Sequence, residues 1–256
     1  MSAHVLAGVD ARGIASVTLN RPEKANSYDA VMQEALAVAF ERHAADRAVR
    51  AIVLRGAGRH FSAGADVAAA GAEPAPGARG IFEICRLIDS IPKPTVALVQ
   101  GACVGGGMAL AACCDIVIAA RNAFFAVPEV RLGLTPGTLG VFFARALGLR
   151  QFRRYAMTGQ RFGAEEALRV GFAHELCEPQ ALDQALAAQI DEILLAAPTA
   201  ARNAKLMAAR LAGEALSAEL IARLQVEFLE SQASDEAREG RASFREKRKP
   251  GWYPKP

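Results

Sequence analysis

A large net charge is missing from this chain. Thirty lysines and arginines stand against 27 aspartates and glutamates, a formal net charge of +3 over 256 residues. So small an excess argues against a nucleic-acid-binding protein. Basic residues gather near the end, in REGRASFREKRKPGWYPK, where they read as a solvated tail or as a surface that meets a phosphate. Cysteine is sparse and unpatterned, with five residues at 85, 103, 113, 114 and 177 and no C-x-x-C. Adjacent Cys113 and Cys114 do not easily serve a disulfide framework, so reduced thiols in a cytoplasmic protein fit best. The four histidines, 4, 43, 60 and 174, show no metal-ligand spacing, and no metal is expected. The opening MSAHVLAGVDARG lacks the basic-then-apolar order of a signal peptide.

Several catalytic signatures are missing too. There is no G-x-x-x-x-G-K-[ST] phosphate loop. VGGGMALA lacks the last glycine of G-x-G-x-x-G, and HFSAG lacks the first glycine of G-x-S-x-G, which argues against a dinucleotide site and a nucleophile elbow. Only residues 95–114 form a long uncharged run, about the length needed to span a bilayer. Pro92 and Pro94 precede it, Gln100 interrupts it, and Gly105–Gly107 would weaken any spanning helix. A buried strand, a glycine turn and a buried helix explain the run better than a membrane span.

What is present is an ordinary globular composition, 52% hydrophobic and 22% charged, able to bury a large core. HVLAGVDARGIASVTLN reads as two strands around a turn at Asp10–Gly13. YDAVMQEALAVAFERHAAD places Val31, Leu36 and Phe40 at helical spacing, with Asp29 as N-cap. AIVLRG, TVALVQG and DIVIAA are short buried strands, and IFEICRLIDSI and residues 106–114 are helices. Segments 137–148, 151–158, 163–170 and 179–196 also read as helices. The Gly-, Ala- and Pro-rich stretch 68–80 reads as a loop. Beyond Pro198 the pattern is helical throughout, with an apolar stripe of Leu216, Leu220, Ile221, Leu224 and Phe228 suited to subunit contacts. The recurring strand–strand–helix groups predict a layered α/β fold, with a core over 1–196 and a helical region over 197–256.

Two glycine-containing turns follow two of the buried strands: RHFSAGADV at 59–67 and GACVGGGMALA at 101–111. Small residues let main-chain N–H groups approach a ligand. The second turn opens a helix, whose first N–H groups have no internal partner and sit at the positive end of the dipole. Two such groups aimed at one oxygen make an oxyanion hole. Tight helix–strand packing explains the same glycines at least as well from the residues alone.

LNRPEKANSYDAVMQEAL, GAGRHFSAGADV, VQGACVGGGMALAACCDIVIA, FAVPEVRLGL and ASFREKRKPGW follow one another in the order found in the crotonase superfamily of enoyl-CoA hydratases and isomerases, which the chain resembles over essentially its whole length. The resemblance implies a spiral of ββα units followed by C-terminal helices that build homotrimers, often paired into hexamers. It also implies an acyl-CoA thioester as substrate, with no cofactor beyond its coenzyme A moiety. By the same resemblance Ala65 and Gly106 supply the oxyanion N–H groups. Ala63, Ala65, Asp66 and Val67, with Lys24 and Ala25 nearby, bind the adenine and pantetheine. Phe244 and Lys247 reach a neighbouring subunit's coenzyme A.

A hydratase of this family carries two glutamates. One belongs to the P-E pair, here Pro128–Glu129. The other lies three residues past the oxyanion glycine, where this chain has Ala109, and no acid occurs between Gly101 and Asp115. One base suffices to move a proton from C2 to C4 of a 3-enoyl thioester. The expectation is therefore double-bond isomerisation with Glu129 as acid and base, its pKa raised by apolar Phe124, Phe125, Val127 and Val130. An atypical one-glutamate hydratase and a non-catalytic coenzyme A-binding protein are the alternatives. The aspartate of dienoyl-CoA isomerases is replaced here by Gly137. His60, Glu83 and Asp89 are further polar candidates near the acyl chain.

Overall fold

The computed structural model describes residues 3–66 and 79–254. A six-stranded sheet forms the centre. Its strands are β1 (Val5–Val9), β2 (Ile14–Leu19), β3 (Ala51–Gly56), β4 (Thr95–Val99), β6 (Ile116–Ala120) and β9 (Glu175–Cys177), in that spatial order. β1 and β2 are antiparallel across the expected turn; all later pairs are parallel. A second sheet joins β5 (Ala102–Val104), β7 (Phe124–Ala126) and β8 (Phe162–Gly163). The helices are α1 (Ala30–Ala45), α2 (Ile81–Ser90), α3 (Gly106–Ala112), α4 (Gly140–Thr158), α5 (Ala164–Arg169), α6 (Leu182–Leu195), α7 (Pro198–Leu211), α8 (Ala218–Ala233) and α9 (Asp235–Glu246).

The parallel strands are apolar on both faces because both faces are covered. Along β3, Ile52 and Leu54 point into one core with residues of α1, α2 and α3. Ala51 and Val53 point into a second core against Leu182, Ile190 and Leu194 of α6. The period-2 alternation of a strand thus serves two layers. Helix α1 starts where the Asp29 side chain accepts the Met32 N–H at 2.8 Å. It buries Met32, Leu36 and Phe40 completely, each worth about 1.5–3 kcal/mol. Val31, expected on that stripe, is 63% exposed; the buried face runs one residue further along, through the i, i+4 series from Met32.

Strands β3, β4 and β6 are parallel neighbours, so their carboxyl ends share one edge of the sheet. The chain leaves all three strands there, and segments 57–66, 100–106 and 121–129 become neighbours through topology alone. The small sheet sharpens this. Val104 pairs with Ala126, and Gly105 N–H donates to the Ala126 carbonyl at 2.9 Å.

The two helices expected over 137–158 form one run, α4, broken at Gly148, whose φ of 71° and ψ of 150° are not helical. The apolar stripe beyond Pro198 lies on α8 and its approach: Leu220 is buried, while Leu216, Ile221 and Phe228 are exposed. Among the described residues no helix is long and apolar enough to cross a membrane.

Candidate active site

The short segment 62–66 runs between two others. On one side Ser62 N–H donates to the Ala102 carbonyl at 2.9 Å, and Val104 N–H returns a bond to Ser62 at 3.0 Å. On the other side Tyr28 N–H donates to Gly64 and Asp66 N–H donates to Tyr28. In a parallel pairing of this kind, residue 28 uses the groups of 64 and 66, so the N–H of Ala65 faces away from residue 28. It faces the side on which β5 has just ended and α3 begins. A side-chain carbon on Gly64 would stand 3.6 Å from the Gly106 nitrogen, so the two chain segments are in contact there. Among the described residues, neither Ala65 N–H nor Gly106 N–H donates to a protein acceptor. The arrangement can offer two N–H groups to one oxygen.

Asn26 holds this junction. It is fully buried, with φ of 53°. Its amide nitrogen donates to the carbonyls of Ala57 and His60, and its amide oxygen accepts the Arg21 N–H. The Ser62 hydroxyl donates to its carbonyl at 2.9 Å.

The glycine triplet has a separate steric reason at each position. Gly105 has φ of 55° and ψ of −130°, a conformation that L side chains resist. A side-chain carbon there would lie 3.1 Å from Glu129 Oε1. On Gly106 it would lie 2.0 Å from the Tyr28 hydroxyl, and on Gly107 it would lie 2.6 Å from Ser62 Cβ. Each missing side chain makes room for a specific group, and two of those groups are titratable.

Glu129 opens a 3-10 turn, Glu129–Leu132, after β7. The pairing of β5 with β7 brings its carboxylate beside Gly105. Its Oε2 is buried without a hydrogen-bond partner among the described residues. Burial pushes its pKa up, against an opposing bond from its own N–H. Of its four expected apolar neighbours in sequence, Phe125 and Val127 are buried and Val130 is 40% exposed. Ala109 is fully buried in α3 and supplies no carboxylate. The described residues hold no group of three metal-binding side chains.

Lys24 is exposed at the end of a 3-10 turn, Pro22–Lys24, and Ala25 follows in the left-handed region. The Ala25 carbonyl accepts Ala63 N–H at 2.9 Å, so the structure joins 24–25 to 63–66. The Asp66 carboxylate is engaged by Arg21 at 3.2 Å, and Arg21 also pairs with Asp29 at 3.1 Å. Asp66 therefore presents main chain, rather than a free carboxylate, to a ligand. Val67 and most of the 68–80 loop lie outside the described residues. Phe244, 85% exposed, and Lys247 stand at the end of α9; the start of α9 is tied to α7 through Glu236, and the tail beyond it to Leu195 and Arg50 through Trp252, rather than to 62–66.

The further polar candidates have other partners or positions. His60 Nδ1 accepts the Ala102 N–H at 3.0 Å. Asp89 pairs with Arg145 at 3.2 Å. Glu83 is exposed in the first turn of α2. Asp115 accepts the Thr95 N–H and hydroxyl and pairs with Lys205, all structural contacts. Sequence reasoning missed Tyr28, because only the pairing of 28 with 65 puts its ring against Gly106.

A protein-family model described as Enoyl-CoA hydratase/isomerase matches residues 10–255. The chain is 34% identical over 250 residues to a carnitinyl-CoA dehydratase of Proteus mirabilis, covering 93% of this chain and 94% of that protein. It is 34% identical over 198 residues to a short-chain-enoyl-CoA hydratase of Clostridium acetobutylicum, covering 75% and 76%. The crystal structure of an enoyl-CoA hydratase from Shewanella pealeana superposes with a TM-score of 0.90 at 31% identity, over 97% of this chain and 96% of that one.

Proposed function

The chain belongs to the enoyl-CoA hydratase/isomerase family, the crotonase superfamily, and from that premise we propose that it moves the double bond of an enoyl-CoA thioester, with Glu129 as the single acid and base. The thioester oxygen accepts from Ala65 N–H and Gly106 N–H. Each such donor is worth roughly 3–4 kcal/mol to the developing charge. Glu129 takes the C2 proton, charge spreads over C2, C4 and the thioester oxygen, and the same carboxyl returns the proton at C4. One proton leaves and one arrives, so no water is consumed and no second carboxylate is required. A raised pKa suits a group that must both take and give a proton.

The observation that carries this reading is the Glu129 carboxylate beside Gly105, with Oε2 buried and unpartnered. A buried acceptor without a partner is unfavourable unless a ligand supplies one. Ala109, where the two-glutamate pattern needs an acid, sets isomerisation ahead of hydration. The main chain of Lys24, Ala25, Ala63, Ala65 and Asp66 is the proposed surface for coenzyme A, with Phe244 and Lys247 of one subunit reaching the coenzyme A of its neighbour. The exposed Ile221 and Phe228 of α8 supply apolar area suited to a homotrimer, or to a hexamer of two trimers.

Product analysis with 3-enoyl-CoA and 2-enoyl-CoA tests the assignment. The expected result is interconversion of the two with no 3-hydroxyacyl-CoA. Accumulation of 3-hydroxyacyl-CoA from the 2-enoyl substrate would instead establish a one-glutamate hydratase, the second reading, which is favoured by the hydratase and dehydratase names of the relatives.

A further inference from the structure

The acyl-CoA reading gives the thioester oxygen two donors, both main-chain. A side-chain hydroxyl stands beside them. Tyr28 is 8% exposed, and its main chain is clamped to Gly64 and Asp66 on either side of Ala65. Its Oη lies 2.0 Å from the point where a side chain on Gly106 would begin, with Cε1 and Cζ at 2.8 Å. The hydroxyl is therefore packed on Gly106 itself. Among the described residues no side-chain hydrogen bond involves it, and unlike Glu129 Oε2 it is not one of the buried unpartnered atoms, so it is open to a ligand. The ring is thus fixed by the same strand pairing that orients Ala65, and its one polar atom is delivered to the other donor.

We propose that Tyr28 is a catalytic residue of this site, its hydroxyl a third hydrogen-bond donor to the thioester oxygen as that oxygen gains negative charge. The inference rests on the acyl-CoA reading of the site. Donation, rather than proton abstraction, follows from the surroundings. Burial, then the neighbouring Cys85 and Glu129, raise the phenol pKa, so the hydroxyl keeps its proton. Position 109 lies one turn beyond Gly106, on the same side of α3. An acid there would compete for the hydroxyl as acceptor; alanine does not. The two functional side chains then divide the work. Glu129, against Gly105, handles the proton at carbon, and Tyr28, against Gly106, meets the charge at oxygen.

A 3-oxoacyl-CoA such as acetoacetyl-CoA reports on this directly, because its enolate has its own ultraviolet absorption band. Wild type and Tyr28→Phe, both full-length, are saturated with the ligand and titrated with base, and the pH of half-enolisation is read from that band. Wild type is expected to lower the midpoint below that of free ligand. Tyr28→Phe is expected to raise the bound midpoint by about one pH unit, the tenfold loss typical of one hydrogen bond to a charged group. Its kcat is expected to fall roughly ten- to a hundredfold, with KM changed by less than about threefold. An unchanged bound midpoint overturns the proposal, as does an effect confined to KM or to the acid limb assigned to Glu129. If wild type itself leaves the ligand's midpoint where it is in free solution, the acyl-CoA reading fails and this inference with it. Thermal melting of Tyr28→Phe, and of Tyr28→Leu as a second variant, separates these outcomes from misfolding.

Discussion

Gly106→Ala puts the geometry of the glycine triplet to a quantitative test. Helix propensity alone makes the substitution favourable by up to about 1 kcal/mol at a helical position. Packing says the opposite. The new carbon would start 2.0 Å from the Tyr28 hydroxyl, where ordinary contact begins at 3.4 Å, so the two must separate by 1.4 Å. Neither side can easily retreat. Tyr28 is clamped between Gly64 and Asp66, and α3 is buried along its length. Overpacking of this kind costs about 1–3 kcal/mol; less a propensity gain of up to about 1 kcal/mol, the net loss is up to about 2 kcal/mol even when the full gain is realised. Removing the hydroxyl gives part of this back. In the double variant with Tyr28→Phe the nearest ring carbons stand at 2.8 Å, an overlap of 0.6 Å against the same 3.4 Å. The two substitutions should therefore couple by about 1 kcal/mol, well beyond the scatter of independent sites. The assay is urea unfolding of wild type, both single variants and the double variant at one protein concentration. Gly8→Ala, which meets nothing within 4 Å, is the control and should change stability by less than about 0.5 kcal/mol. Activity should not recover along with stability. The Gly106 N–H is displaced in both backgrounds, and kcat should remain down by roughly 10²–10³. Additive stabilities, or a stabilised Gly106→Ala, would refute the placement of Tyr28.

Glu129→Gln should abolish turnover while coenzyme A binding, followed by calorimetry, persists. The wild-type acid limb of kcat/KM should lie above the ordinary glutamate value of 4.5, because burial raises this carboxyl and only its ionised form takes a proton. The same shift sets a stability slope. The folded protein keeps this proton in a window where the unfolded chain has lost it, so wild type loses stability relative to Glu129→Gln as pH rises through that window. Asn26→Ala should cost at least about 3 kcal/mol in urea unfolding, since it removes three buried hydrogen bonds and strains a left-handed residue. If α8 is the proposed subunit contact, Ile221→Asp combined with Phe228→Asp, on its exposed face, should reduce the sedimenting mass to that of a monomer without unfolding the chain; an unchanged mass would refute the proposed contact.

Five of the six strands of the central sheet, all but β9, were legible in the chain because local chemistry marks them. AIVLRG, TVALV and IVIAA are apolar runs bounded by turn residues, and Asp29 stands where a helix must begin. Glu129 was legible only through the order of the family motifs, since a lone glutamate before a short turn carries no signal of its own. Strands β5, β7, β8 and β9 are two or three residues long and left no periodic trace; they exist because distant partners supply their hydrogen bonds. Two of them, β5 and β7, also help to assemble the candidate site. Pairing of β5 with β7 brings Glu129 to Gly105, and pairing of residue 28 with residue 65 brings a phenol to Gly106. Hydrophobic period and capping act over a few residues and so can be read along the chain. Which hydroxyl meets which glycine depends on register between segments far apart in sequence, and register exists only once the sheet has formed.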